Sequence, residues 1–519
     1  MESTLYDIGF GVDNALVKLC PEKRLSLEDV KAFRKAIAHD YVYEMIYDNL
    51  PYFVPVGTYG SMPDFKDGMM ANKTAFMLYT HLNFHIQHSI DQVIQIDILP
   101  AMASAKDITD DKEVGVQFTY STKWIPTDIE FKDRMNRYFR TQNPNRDLEI
   151  QWFSVVNSLV LVIVLAGLVA LIITRTLRND YQRYLQLEDM DVEEQEEERG
   201  WKLLHADVFR YPPYPSVFAA VLGVGTQFLI ATLVLLGVSL LGTFYPLKSS
   251  RGQMYTAGIA LYALTGIVAG FTSATVYRKL GGEKWAWNAV LSSVLFFGPL
   301  FLLFAFLNSV AIAYNSIAAL PATTIILLLS LWVFVIFPLT VVGAVIGKNM
   351  AKPFDSPTRT KQIPREVPPQ PSSRHPIVQI CISGFLALSA SFIELHYVYD
   401  SLFAFRQYRL FGILALTFIV LVLVVACLAI SLTYFQLSSE DYNWWWRAIF
   451  VGGAYGPFLY AYSIYYLRVR SQMFGFLQLS YYLGYTAISA YAFSLMFGAV
   501  GWFASFVFVR RLFSSIRSD

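Results

Sequence analysis

Residues 411–435 read FGILALTFIVLVLVVACLAISLTYF, twenty-five consecutive positions without a charged side chain. Because about 20 apolar residues in a helix cross the hydrocarbon core of a bilayer, this stretch predicts a membrane-spanning helix. The rest of the chain is similarly apolar, since 55% of its 519 residues are hydrophobic and only 16% are charged. A soluble domain carries about 25% charged residues, so we expect a lipid bilayer to surround much of this protein.

Apolar runs of this length recur along the chain after residue 150. The nine runs are 152–173, 217–244, 255–277, 286–307, 317–346, 377–398, 411–435, 448–467 and 474–509. The last run is long, but tilt accommodates the excess, and a turn near Gly484 would leave two halves too short to cross. The sequence therefore predicts a polytopic α-helical membrane protein with nine transmembrane helices: a first helix at 151–174, an acidic cytosolic linker at 175–215, an eight-helix domain at 216–509 and a tail at 510–519.

Residues 1–150 differ in composition from the rest of the chain. Residues 75–82, 92–99 and 115–124 are rich in aromatic and β-branched side chains and are separated by polar turns. This pattern is typical of β-strands with one buried face. We therefore expect a half-buried antiparallel β domain in this region.

One segment of this region has helical spacing instead. Ser26, followed by Glu28 and Asp29, resembles the start of a helix. The apolar residues that follow at helical spacing are Val30, Phe33, Ile37 and Tyr41. The pattern predicts a helix over 26–43 that packs on the sheet.

Lysine and arginine in the short loops predict the orientation. One set of loops and ends contains Arg175, Arg178, Arg183, Lys202, Arg210, Arg278, Lys279, Lys284, Lys348, Lys352, Arg359, Lys361, Arg365, Arg374, Arg510, Arg511 and Arg517. The opposite set contains Lys248, Arg251, Arg406, Arg409, Arg468 and Arg470. Because basic loops remain in the cytosol, we expect a lumenal or extracellular N-terminal domain and a cytosolic C-terminus. Asn72, in Asn72-Lys73-Thr74, then lies on the correct side to be an N-glycosylation acceptor.

Several functional classes find no support in the residues. The net charge of +1 gives no electrostatic reason to expect nucleic acid as a partner. Neither a Ser/His/Asp order nor a metal-spaced His pair occurs, and Gly281-Gly282 leads to Glu283-Lys284 rather than to a phosphate-binding Lys-Ser or Lys-Thr. The three cysteines are scattered. We therefore expect no enzyme activity and no catalytic, cofactor-binding or metal-binding residues.

Glu394 is the ionisable residue that stands out within the apolar runs, and His396 follows two positions later. A carboxylate in a membrane span is costly unless it is paired or hydrated, so proton or cation handling and cargo recognition are candidate functions. A structural ion pair with His396 or Arg406 is the alternative.

Other features of the spans and linkers allow two uses each. Small residues in the spans permit either internal helix packing or a groove for the helix of another protein: Gly223, Gly225, Gly237, Gly242, Gly258, Gly266 and Gly270. The acidic segment 188–199 is a solvated spacer or a docking site for a basic partner. The proline-rich segment 352–376 is an extended linker or a ligand for a cytosolic protein. We expect Trp444-Trp445-Trp446 to anchor its helix at the lipid headgroups.

Several motifs, in order along nearly the whole chain, resemble those of the nonaspanins, the transmembrane 9 superfamily. They are YTH at 79–81, FTYS at 118–121, WFS at 152–154, RTLRNDY at 175–181, GWK at 200–202, HADVFR at 205–210, QIPR at 362–365, FIEL at 392–395 and YFQLSSEDY at 434–442, which runs into the Trp triplet. The resemblance implies a large lumenal domain, nine spans and residence in Golgi and endosomal membranes. It also implies roles in sorting or surface delivery of other membrane proteins, adhesion and phagocytosis.

The resemblance carries expectations for both ends of the chain. Family members begin with a signal peptide and further lumenal sequence, so we expect an N-terminally truncated chain, which would also leave Cys20 without its partner. The family's tail ends in lysine, any residue and an acidic residue, a signal that coat proteins bind, and Arg517-Ser518-Asp519 occupies those positions. Arginine keeps the charge but not the shape of lysine, which weakens the expected coat binding.

These observations lead to three hypotheses. The first is a sorting factor that binds the transmembrane helices of cargo and aids their surface delivery. The second is a secondary transporter or channel that uses Glu394. Ala429 weighs against it, because many members of the family that this chain resembles carry an acidic residue at that position. The third is an adhesion receptor that acts through the lumenal domain.

Overall fold

The structure, a computed structural model, divides the chain into two compact units. One comprises Glu2–Asn145 with Pro246–Lys248, and the other comprises Arg146–Tyr245 with Ser249–Asp519. The structure describes residues 6–39, 41–48, 50–66, 69–129, scattered positions between 160 and 182, 201–241, 251–314, 316, 319–354, 356–358, 360–370, 375–403, 411–471, 473 and 475–514.

The N-terminal unit is rich in β-strands, as predicted. Its strands are β1 (Asn14–Lys18), β2 (Lys23–Leu25), β3 (Val42–Tyr47), β4 (Leu50–Pro55), β5 (Gly57–Lys66), β6 (Met69–Leu78), β7 (His81–Ser89), β8 (Gln92–Pro100), β9 (Lys106–Asp107), β10 (Val114–Val116) and β11 (Thr119–Pro126). They form a four-stranded sheet in the order β1-β11-β7-β8 and three smaller sheets. The expected antiparallel pairing is wrong at β11 and β7, which run parallel, with Thr119 opposite His81.

The predicted strand at 75–82 is in fact the end of one strand and the start of another. β6 ends at Leu78 and pairs with β5 and β9, whereas β7 begins at His81 and pairs with β8 and β11. Between them the Thr80 hydroxyl donates to the Ser104 carbonyl at 2.5 Å. A single apolar run therefore contributes to two sheets, a division that periodicity does not reveal.

The helix α1 (Leu27–Ala38) begins where the sequence predicts. The Ser26 hydroxyl accepts from the Asp29 N–H at 3.3 Å, and the Asp29 carboxylate accepts from the Ser26 N–H at 3.1 Å. The predicted end at 43 is wrong, because the Tyr41 carbonyl accepts from the Val56 N–H and the chain enters β3 one residue later. Val30 and Ile37 are buried, as their spacing predicted.

The second unit is a bundle of apolar helices. They are α2 (Pro215–Leu240), α3 (Arg251–Leu264), α4 (Gly266–Lys279), α5 (Trp285–Ala313), α6 (Ala322–Met350), α7 (Pro376–Phe403), α8 (Phe411–Ser438), α9 (Trp444–Gly453), α10 (Tyr455–Val469) and α11 (Phe476–Ser514). Among the described residues, seven helices are long and apolar enough to cross a membrane, counting Thr256–Lys279, which joins α3 to α4, as one. The protein is therefore a polytopic membrane protein with a sheet-rich N-terminal region.

Two of the nine predicted spans are not among these seven. The run 152–173 lies largely outside the described residues. The run 448–467 is divided between α9 and α10, which meet at Ala454. Pro457 explains this break, because it lacks an N–H for the Gly453 carbonyl and its ring crowds that carbonyl.

Glycines allow several of these helices to pack backbone to backbone. A Cβ at Gly270 in α4 would collide with the Thr340 carbonyl in α6, and one at Gly225 in α2 would collide with the Leu495 carbonyl in α11. By contrast, a Cβ at Gly237 or Gly258 would meet nothing within 4 Å. Close helix packing in membranes depends on such small residues, but Gly237 and Gly258 do not contribute to it here.

Candidate functional site

Helix α7, which contains Glu394, has a buried polar face. Gln379, Ser383, Ser391 and Glu394 are each at most 5% exposed, and their spacing of three or four residues, or a multiple of four, places them on one side of the helix. Polar residues of membrane helices face the protein interior, because lipid cannot satisfy them. This face is therefore the inner surface of α7.

The buried polar face contacts the broken span α9–α10. The Ser383 hydroxyl donates to the Val451 carbonyl at 2.9 Å, three residues before the break at Ala454. The Ser391 hydroxyl lies 3.0 Å from the Tyr455 hydroxyl, one residue after it. Side chains of α7 thus hydrogen-bond on both sides of the interruption, where helical bonding is incomplete.

Glu394 is buried in the bundle, past the midpoint of α7. It is 2% exposed and lies nine residues before the end of α7, which is roughly 7 Å past the midpoint of the helix at 1.5 Å per residue. His396, two positions on, points to another side of the helix, and its Nδ1 lies 3.3 Å from the Tyr462 hydroxyl. Arg406, the other suggested partner, lies outside the described residues.

Tyrosines dominate the surroundings of His396. Tyr399 packs edge-on against Tyr462, with ring centroids 5.2 Å apart, and lies 5.3 Å from Tyr466. The Tyr482 hydroxyl donates to the Ser463 carbonyl at 2.8 Å, which ties α11 to α10. An imidazole and several phenol groups therefore occur together where α7, α10 and α11 meet.

A second cluster forms where segments 201–214, 278–284 and 351–370 meet the end of α11. We call this the basic end, because the loops richest in lysine and arginine lie there. Trp201 packs edge-on against Phe513 at 5.5 Å, and Phe209 lies 5.9 Å from Phe354. Gly281 lies beside the Tyr211 ring.

The Trp triplet belongs to this cluster, and the expectation of headgroup anchoring is wrong for its first two residues. Trp444 is 0% exposed and Trp445 is 4% exposed, and their rings stack at 4.7 Å. The Trp444 indole N–H donates to the Val208 carbonyl at 2.8 Å, across 236 residues of sequence. Trp446 donates to the Pro213 carbonyl at 2.8 Å and is partly exposed. The triplet therefore fastens the segment before α2 to the bundle.

Charged residues complete the cluster. Arg210 pairs with Asp207 at 2.6 Å and also donates to the Lys361 carbonyl at 2.8 Å. Asp441, which is largely buried, pairs with Arg447 at 2.8 Å. Motifs far apart in sequence thus hold one another in place at the basic end.

The proline-rich segment is held against the bundle rather than being a free linker over its described residues. Arg365 pairs with Glu440 at 2.8 Å, and the Gln370 amide donates to the Ser439 carbonyl at 2.7 Å. The Lys361 N–H donates to the Ala206 carbonyl at 3.1 Å. The described residues of this segment are mostly exposed on the side away from the bundle. Its role as a ligand for a cytosolic protein stays a prediction.

The ion pairs Asp207–Arg210 and Asp441–Arg447 were not predicted from the sequence. A charged residue beside an apolar span usually faces water, so their sequence positions gave no sign of these ion pairs. Their placement depends on segments up to about 240 residues apart, which spacing alone does not bring together.

The remaining predicted residues have limited structural description. Asn72 lies in β6, opposite Pro63 of β5, but its side chain is outside the described part. Arg517 and Asp519 in the tail, and the acidic segment 188–199, are also outside it. No group of three or more His, Cys, Asp or Glu side chains in the described ranges could hold a metal ion.

Comparison with known proteins tests the family resemblance that the motifs suggested. Residues 1–476 match the family model described as Endomembrane protein 70. Transmembrane 9 superfamily member 4 of Arabidopsis thaliana is 43% identical over 96% of this chain and 82% of its own length. Transmembrane 9 superfamily member 1 of Mus musculus is 40% identical over 100% of this chain and 86% of its own length.

The chain belongs to the transmembrane 9 superfamily. Another relative, named "Putative phagocytic receptor 1b" in Dictyostelium discoideum, is 43% identical over 97% of this chain and 84% of its own length. No solved structure matches this transmembrane 9 chain significantly. The resemblance drawn from the motifs is therefore confirmed at the level of the family.

Proposed function

We propose that this transmembrane 9 superfamily member is a non-enzymatic sorting factor of Golgi and endosomal membranes. It binds the transmembrane helices of cargo proteins and aids their delivery to the cell surface. A role in adhesion and phagocytosis is part of the proposal, and the name of the Dictyostelium relative supports phagocytosis. The orientation proposed is a lumenal N-terminal domain and a cytosolic C-terminus.

The observation that carries cargo binding is the open surface at Gly237 and Gly258. Helices α2 and α3 are neighbours, and a Cβ at either glycine would meet nothing within 4 Å. Other glycines of the bundle, such as Gly225 and Gly270, contact neighbouring backbone. A helix from another protein could therefore approach α2 and α3 closely without displacing internal contacts.

Leucine substitution at the open glycines tests this proposal. Gly237→Leu and Gly258→Leu should lower co-purification and surface delivery of cargo in cells, while the level of the protein itself stays unchanged. Ala260→Leu is the matched control, because Ala260 is exposed on α3 and points away from Gly258. The proposal would be wrong if deletion of the gene left the amounts of a panel of membrane proteins at the cell surface unchanged.

The tail supplies the proposed link to the cytosolic coat. Arg517-Ser518-Asp519 places a cation and a carboxylate at the positions of the family's retention signal. Because lysine is a compact ammonium and arginine a planar fork, Arg517→Lys should strengthen coat binding to a tail peptide. Equal binding of the two peptides would contradict this part of the proposal.

A second candidate function is a secondary transporter or channel. The specific observation is that buried Glu394 lies on the polar face of α7 that contacts the kinked span α9–α10. Ionisable residues inside membrane helices often mark ion or proton pathways. The names of the relatives do not favour it. Cation or proton flux in vesicles that vanishes with Glu394→Gln would support it, and absence of flux in the unaltered protein would favour sorting.

A further inference from the structure

A cleft of about 380 Å³ lies at the basic end, between residues 209–211 and 354–362. The lining includes the basic side chains of Arg210 and Lys361. It also includes the hydroxyl residues Ser356 and Thr360 and the phenyl rings of Phe209 and Phe354. Ammonium, guanidinium and hydroxyl groups are hydrogen-bond donors suited to phosphate oxygens. The composition of the lining therefore points to a ligand that joins an anionic group to an apolar one.

The two walls of the cleft are held together without the Lys361 ammonium. Arg210 is oriented by Asp207 at 2.6 Å and donates to the Lys361 carbonyl at 2.8 Å. The Lys361 N–H donates to the Ala206 carbonyl at 3.1 Å. Lys361 thus supports the wall through its backbone, and its exposed side chain contributes charge to the cleft.

The position of the cleft favours a lipid. Tyr211 lines it, is 51% exposed and lies four residues before α2 begins. Tyrosine at the end of a membrane helix favours the headgroup zone. The Tyr211 ring lies beside Gly281, in the loop that joins the spans α4 and α5.

That loop adds positive charge next to the cleft. Arg278, Lys279 and Lys284 are exposed there, against a single acidic residue, Glu283. Basic residues at the membrane surface attract anionic lipids. The charge near Tyr211 would therefore raise the local concentration of such lipids at the mouth of the cleft.

We propose that this cleft binds the headgroup of an anionic phospholipid. The phosphate accepts hydrogen bonds from the Lys361 ammonium and the Thr360 hydroxyl, whereas the Ser356 hydroxyl already donates to the Thr358 carbonyl. The rings of Tyr211 and Phe354 contact the glycerol and upper acyl carbons, and Phe209 is buried behind them. The proposal is independent of cargo sorting, because it concerns the other end of α2 from Gly237 and is tested on purified protein.

Lipid affinity of the full-length protein tests the proposal. The purified chain in neutral detergent is titrated with dioctanoyl phosphatidylinositol 4-phosphate and with dioctanoyl phosphatidylcholine, and binding is followed by microscale thermophoresis. We expect the anionic lipid to bind more tightly, and Lys361→Ala to weaken its binding about five-fold, the effect of one cation near a membrane surface. Lys361→Arg should retain the affinity.

The matched control is Arg511→Ala. Arg511 is an exposed cation in the last turn of α11, close in sequence to Phe513 at the basic end, and does not line the cleft. We expect this variant to bind like the unaltered protein. An unchanged melting temperature of Lys361→Ala would show that its backbone contacts with Arg210 and Ala206 persist.

Three outcomes would overturn the proposal. The first is equal affinity for the anionic and the neutral lipid, and the second is unchanged affinity in Lys361→Ala. The third is binding of inositol 1,4-bisphosphate or inorganic phosphate as tight as that of the lipid, because the ligand would then be a soluble phosphate.

Discussion

At the scale of single residues, the adjacent indoles of Trp444, Trp445 and Trp446 have different surroundings. Trp444 lies inside the basic-end cluster, where its N–H satisfies the Val208 carbonyl. Trp446 makes the equivalent bond to Pro213 closer to solvent. Because a buried polar group that loses its partner cannot turn to water, the two bonds should differ in their contribution to stability.

Phenylalanine substitution tests that difference. Trp444→Phe removes the donor of a buried hydrogen bond and should lower the free energy of unfolding by about 1–3 kcal/mol. Trp446→Phe is the matched control and should cost less, since water can reach the Pro213 carbonyl. The measurement is thermal unfolding of the full chain in detergent. An equal loss of unfolding free energy in both variants would show that the hydrogen bond to Val208 stabilises the protein no more than the bond to Pro213.

The residues that sequence analysis found are those that are unusual in their own surroundings. Glu394 stood out because it is a carboxylate within an apolar run, and it is buried in the structure. Asp441 and Arg447 were missed, because charged residues next to a span usually face water. Their importance depends on burial by segments distant in sequence, which no local pattern contains.

At the scale of secondary structure elements, α1 is governed by its N-terminal cap. The hydrogen bond from the Ser26 hydroxyl, together with that from the Ser26 N–H, lowers the pKa of Asp29 below its ordinary value of 3.8. A carboxyl with a lowered pKa in the folded state stabilises that state above its ordinary pKa, and the effect is lost as pH falls through the lowered value. The cap should therefore weaken in acid.

Hydrogen exchange measures this pH dependence. In the full chain, protection of the amides in the first turn of α1 should fall as pH decreases below about 4, after correction for intrinsic rates. Asp29→Asn should show lower protection at pH 6, and its difference from the unaltered protein should disappear in acid. A difference that persists unchanged in acid would contradict a role for the carboxylate charge.

Packing of α4 against α6 gives a second prediction for elements. A Cβ at Gly270 would collide with the Thr340 carbonyl and the Ala344 N–H, and backbone cannot move aside as a flexible side chain can. Gly270→Ala should therefore destabilise the bundle by about 1–3 kcal/mol in thermal unfolding. Gly258→Ala, with open space around it, should be neutral or stabilising. Similar losses in both variants would refute the packing argument.

A helix or strand could be predicted from the sequence where one apolar run lies in the same surroundings along its whole length. Residues 411–435 form α8, because a long uncharged run has no alternative to a membrane helix. The run 448–467 is interrupted at Ala454, although Pro457 was visible in the sequence. The run 75–82 is divided between two sheets, which depends on strand pairing across the whole N-terminal unit.

At the scale of the whole molecule, the basic loops that predicted the orientation come together in space. Arg210 hydrogen-bonds to the Lys361 carbonyl, and Trp201 contacts Phe513, two residues after Arg511. The described basic loops thus lie together at one end of the bundle. By the positive-inside rule, we expect this end to face the cytosol.

Glycosylation at Asn72 tests the orientation. If the N-terminal unit is lumenal, Asn72-Lys73-Thr74 lies in the compartment of the glycosylation machinery. Treatment with a glycosidase should increase the gel mobility of the unaltered protein and leave Asn72→Gln unchanged. Asn72→Gln is also the control for sites elsewhere, because a shift that persists in it must come from another asparagine.

A lack of glycosylation would not by itself reverse the orientation, so a second measurement completes the test. In sealed microsomes, a protease added outside should cleave the acidic segment 188–199 but not the N-terminal unit. Because glutamates cluster in that segment, a glutamate-specific protease is suitable. Digestion of the N-terminal unit in intact microsomes would place it in the cytosol, and the orientation inferred from the basic loops would then be wrong.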